Sequence, residues 1–92
     1  MENKVTIPAI KGVCNFKVWK IENPLHGHSY HIELFFPLSR NCNQYFNAVK
    51  PKDVIKLIEQ TKLTLVKLYT ALGGGDKIVH FTNEHRKMIL DM

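Results

Sequence analysis

Three of the five histidines in this 92-residue chain lie in one short segment, His26-Gly27-His28-Ser29-Tyr30-His31. It runs straight into Ile32-Glu33-Leu34-Phe35-Phe36, the most strand-like stretch of the sequence. Side chains alternate with period two along a strand. A strand beginning at His26 therefore turns His26, His28, Tyr30, Ile32, Leu34 and Phe36 to one face, with two imidazoles side by side at the end of an apolar row. Imidazoles so placed suit a single Zn²⁺, and Gly27 leaves the space between them open. A zinc site takes three or four ligands, and His80, His85, Glu22 and Cys14 are the candidates to complete this one.

A second constellation precedes the histidines. Lys17, Trp19 and Ile21 share a face of the strand-like stretch Val13–Ile21, with Lys11 and Lys20 close by in sequence. An exposed tryptophan between lysines can stack on a base or anchor a protein partner. Lys17, Trp19 and Lys20 are thus the candidate partner-binding residues, and the competing expectation is that the long helix or the N-terminal segment covers Trp19. Gly73-Gly74-Gly75-Asp76-Lys77 is not a phosphate loop, because its glycines follow a helical pattern and no helix N-terminus points at an anion there.

His26-Gly27-His28-Ser29-Tyr30, followed by Ile32, Glu33 and Leu34, resembles the zinc-binding strand of the 6-pyruvoyl-tetrahydropterin and 6-carboxytetrahydropterin synthases, a T-fold family. The resemblance covers about residues 23–36 and implies that His26 and His28 are zinc ligands. The family's third zinc histidine lies upstream, where this chain has none. Its catalytic cysteine falls where this chain reads Glu22-Asn23-Pro24-Leu25, and Cys14 is too far upstream to match. The resemblance therefore implies a zinc-binding, degenerate relative and not a pterin synthase of ordinary mechanism.

The elements that must position these residues read as follows. Val5, Ile7 and Ile10 around Pro8 suit an edge strand, since proline cannot donate to a central ladder. Cys14, Phe16 and Val18 alternate with Asn15, Lys17 and Trp19, the pattern of a half-buried strand that Asn23-Pro24 breaks. The simplest connection to the histidine strand is an antiparallel hairpin, and Pro37 closes that strand. Residues 39–50 are rich in asparagine and read as a loop. Pro51 and Asp53 suit a helix start and Gly73 a helix end, with Val54, Ile58, Thr61, Leu65, Leu68 and Leu72 as the buried stripe. Leu57 and Leu63 lie off that stripe and suggest a second contact surface, such as a homo-oligomer interface. Residues 76–82 read as a short third strand, and residues 83–92 as either a helical turn capped by Asn83 or a further strand.

The expected fold is a single α+β domain over residues 1–92, with a small, mostly antiparallel sheet of three or four strands and one long helix packed across it. Its expected order is strand, strand, helix, strand and then the ambiguous tail. Thirteen Lys and Arg against eight Asp and Glu leave a net charge of +5, which favours acidic partners. Two isolated cysteines and the lack of a signal-like apolar core suggest a reducing cytoplasmic setting, and no apolar run is long enough to cross a bilayer. Without a complete catalytic set, the expected function is non-catalytic and cofactor-free. The chain has the character of small inhibitors and regulators from phages or mobile elements, acting on a protein or a protein–nucleic-acid assembly.

Overall fold

The computed structural model describes residues 3–25 and 27–92. The alternating stretches become four strands, β1 (Asn3–Ile10), β2 (Cys14–Asn23), β3 (Gly27–Phe35) and β4 (Gln44–Ala48). Two helices follow, α1 (Pro51–Ala71) and α2 (Asn83–Leu90). The strands form one antiparallel sheet in the order β1-β2-β3-β4, a meander in which each strand pairs with its sequence neighbour. The domain is α+β, with one long helix and one short one on a small antiparallel sheet.

The expected order of elements changes in two places, and the ambiguous tail takes one of its two alternatives. Residues 39–50 contain β4, which pairs with β3 from Tyr30↔Ala48 to Leu34↔Gln44. The fourth strand therefore comes before the long helix. Residues 76–82 do not form a strand of the sheet; they touch β1 through a single bridge, Ile10↔Ile78. The Lys11 N–H donates to the Lys77 carbonyl at 2.7 Å and the Val79 N–H to the Ala9 carbonyl at 3.0 Å. Beside this bridge the β1 register shifts between Pro8 and Ile10, and beyond it Thr82 caps α2. A longer ladder has no room to grow. The tail is helical, capped by Thr82 and not by Asn83: Thr82 Oγ1 accepts from the His85 N–H, and His85 Nδ1 accepts from the Thr82 N–H.

The other expected boundaries hold. β1 is an edge strand carrying Pro8, although Met1 and Glu2 lie outside the described residues. The long helix starts with Pro51 in its first turn and ends in a Schellman motif, where the Gly74 N–H reaches the Tyr69 carbonyl and the Gly73 N–H reaches that of Thr70. Gly73 has φ +80°, a left-handed conformation that a side chain would strain.

Strand alternation gives the sheet two different faces. One turns Ile7 and Ala9 of β1, Cys14, Phe16 and Val18 of β2, and Tyr30, Ile32 and Leu34 of β3 against Val54, Ile58 and Leu65 of α1 and Ile89 of α2. These apolar groups, with Ile10 and their partly buried neighbours, are the core; each fully buried aliphatic or aromatic side chain contributes on the order of 1.5–3 kcal/mol. The helical stripe differs from expectation in its middle. Lys62, and not Thr61, is buried between Ile58 and Leu65, while Leu68 and Leu72 are exposed. Both helices pack on this one face.

Candidate binding surface on the open face of the sheet

Residues of opposite parity point away from the helices. Register places Lys4, Trp19, His31 and Asn47 in one row across all four strands: Lys4 pairs with Trp19, Trp19 with His31, and His31 with Asn47. The next row holds Thr6, Lys17, Glu33 and Tyr45 by the same pairings. Neighbouring open-face positions add Phe35 and Ile21.

Cross-strand neighbours on one face stand close enough for rings to interact. The Trp19 and His31 rings lie 5.7 Å apart, and the His31 and Tyr45 rings 5.8 Å apart with only 32° between their planes. His31 Nδ1 and Asn47 Oδ1 lie within hydrogen-bonding distance at 3.0 Å, a contact that helps to hold the ring plane. Two lysines complete the surface. The Lys4 ammonium sits 5.4 Å from the Trp19 ring centroid, and that of Lys17 sits 3.7 Å from Phe35. The result is a row of neighbouring, mutually tilted rings, from half-buried Trp19 through half-buried His31 to the 59 % exposed Tyr45, with the Lys4 ammonium over the Trp19 ring. Glu33, cross-strand from both Lys17 and Tyr45, is the acidic residue within it.

The three partner-binding candidates separate. Lys17 and Trp19 stand on the open face, and neither α1 nor α2 covers Trp19. Lys20 has the opposite parity, and its ammonium donates to the Met92 carbonyl at 3.2 Å, tying the C-terminal end to β2. Pattern reading did not identify Lys4, His31 or Tyr45 as partners of Trp19. The alternation of Tyr45 and Asn47 with Phe46 and Ala48 carries the signal for β4, but the surrounding asparagines hide it.

Among the described residues, the zinc candidates do not gather. His28 is exposed at the start of β3, on the same side as Tyr30, whose ring meets it edge-on at 5.7 Å. His26 lies outside the described residues. Glu22 is the cross-strand partner of His28, whereas Cys14 is buried at the far end of β2 and His85 is used in the α2 cap. No group of three or more His, Cys, Asp or Glu side chains that could hold a metal occurs among the described residues. No helix among them is long and apolar enough to cross a membrane.

Comparison with family models, with curated proteins and with solved structures finds no match for this chain.

Proposed function

We propose that this is a small, basic, non-catalytic binding protein that docks through the open face of its sheet onto a protein–nucleic-acid assembly, as an inhibitor or regulator in the cytoplasm. The part of the assembly it meets is unpaired nucleic acid. One observation carries this reading: the cross-strand band of Trp19, His31 and Tyr45 with Lys4 and Lys17 beside it. Successive bases stack on such ring faces at about 1–3 kcal/mol each, whatever their sequence, while lysines neutralise backbone phosphates. The net charge of +5 supports the same class of partner.

Trp19 is the single tryptophan of the chain, so its fluorescence reports directly on this face. Titration with a short oligothymidylate should quench it, and quenching should weaken as salt rises. Trp19→Ala and Tyr45→Ala variants, followed by polarisation of a labelled oligonucleotide, should each lose about tenfold or more in affinity. Failure of the wild-type protein to bind any single strand at low salt would overturn the nucleic-acid reading and turn attention to a protein surface.

The zinc-binding alternative stands on the resemblance of the His26–His28 segment alone. Its test is the zinc content of untagged protein beside a His26→Ala/His28→Ala variant: about one zinc per chain, lost in the variant, supports it, and equal metal content in both excludes it.

A further inference from the structure

Lys62 occupies a position where the helix would ordinarily carry a leucine. It is only 7 % exposed, and its ammonium, itself almost wholly covered, finds no hydrogen-bond partner among the described residues. Burying a charge without a partner is costly, and buried cations are ordinarily paired. Lys62 also lines a cleft of about 440 Å³, between α1 and the segment that leads from its end into α2. Leu63, Val66, Ile78 and Phe81 supply apolar walls to this cleft. Its other charged groups are already engaged: Arg86 Nε lies 3.3 Å from Glu59 Oε1, and Arg86 donates to the Phe81 carbonyl at 2.9 Å while its guanidinium lies over the Phe81 ring. His80 adds no negative charge to the rim.

We propose that this cleft is a binding site for a small organic carboxylate with an aliphatic or aromatic body, whose carboxylate draws the covered Lys62 ammonium out of the core to pair with it. The charge count favours a monoanion, because one cation is unpartnered and Arg86 is already held by Glu59. A phosphate dianion would leave charge uncompensated against the apolar walls. The volume falls within the ordinary range for small-ligand pockets, which are mostly apolar with a few placed polar groups. The site lies between the helical layer and the 75–81 segment, built from elements that the open face of the sheet does not use.

The test uses sodium octanoate as probe and octanol as its uncharged counterpart, followed by amide and methyl NMR shifts of Leu63, Val66 and Ile78. Octanoate should saturate the wild-type protein at millimolar concentration or below, with octanol about tenfold weaker or more. Lys62→Met should lose octanoate by a similar factor while keeping octanol. Nuclear Overhauser contacts between octanoate methylenes and the Leu63 and Val66 methyls in the wild-type protein locate the probe without any variant. Equal affinity for octanoate and octanol, unchanged octanoate binding by Lys62→Met, contacts elsewhere on the protein, or no shift at about 10 mM octanoate would each overturn the proposal.

Discussion

Lys62 and Cys14 show how burial changes the chemistry of a single residue. Burial pushes the Lys62 ammonium below its ordinary value of 10.5, and the neighbouring Cys14 opposes that shift. Burial likewise pushes the Cys14 thiol above 9.0, against a backbone hydrogen bond to Ile10 and the charge of Lys62. The two therefore act on stability with opposite signs. Between the lowered Lys62 value and 10.5, the unfolded chain binds more protons than the native one, so the Lys62 contribution rises with pH. Above 9.0 the native protein holds the Cys14 proton longer, so the Cys14 contribution falls. Lys62→Met fills the same space without a charge and is expected to stabilise the unliganded protein by about 1–3 kcal/mol near neutral pH. That advantage should shrink as the pH approaches 10.5, which urea unfolding of both proteins at several pH values measures directly. On the open face, Glu33→Gln should tighten oligonucleotide binding severalfold, because it removes the carboxylate beside Lys17 and Tyr45. An unchanged or weaker affinity in polarisation titrations would count against phosphates lying over this row.

At the scale of elements, the ends of the helices carry the clearest predictions. Thr82→Ala removes the hydroxyl that accepts the His85 N–H and should cost about 1 kcal/mol, read as a lower unfolding midpoint in urea. Gly73→Ala forces a side chain into φ +80° and should cost about 1–2 kcal/mol, although a Cβ there meets no other atom within 4 Å. The cost is one of backbone conformation and not of space. Ile58→Ala, which opens the centre of the α1 contact, should cost about 2–5 kcal/mol. The local signals for these elements were legible in advance: Pro51 and the glycines bracket α1, and the alternation of Cys14, Phe16 and Val18 marks β2. Two elements were not. β4 is a short edge strand that draws its backbone hydrogen bonds from β3, and nothing within an asparagine-rich stretch announces that partner. Residues 76–82 have strand-like composition, yet the irregular end of β1 and the Thr82 cap limit them to one bridge.

For the whole molecule, asymmetry between the two sides of the sheet is the organising fact. Both helices cover one side, and the other presents Lys4, Lys17, Trp19, His31 and Tyr45. With two lysines on that side, the logarithm of affinity for a single strand should fall against the logarithm of salt with a slope of about −1 to −2, and Lys17→Gln should reduce it by about one phosphate. A steep slope that Lys17→Gln leaves untouched would place the phosphates elsewhere on the surface. What the sequence by itself determined is the class of fold, the β2 and β3 core face, the long helix with both its ends, and the membership of Lys17 and Trp19 on one face. Each of these follows from local periodicity or from the conformational limits of proline and glycine. Only the tertiary structure decided that Lys20 reaches the Met92 carbonyl, that Trp19 meets His31 and Tyr45, and that Lys62 is buried against the cleft. Those facts depend on which strands pair, in what register, and on which face the helices settle. Such pairings join residues distant in the chain, whose proximity no local pattern encodes.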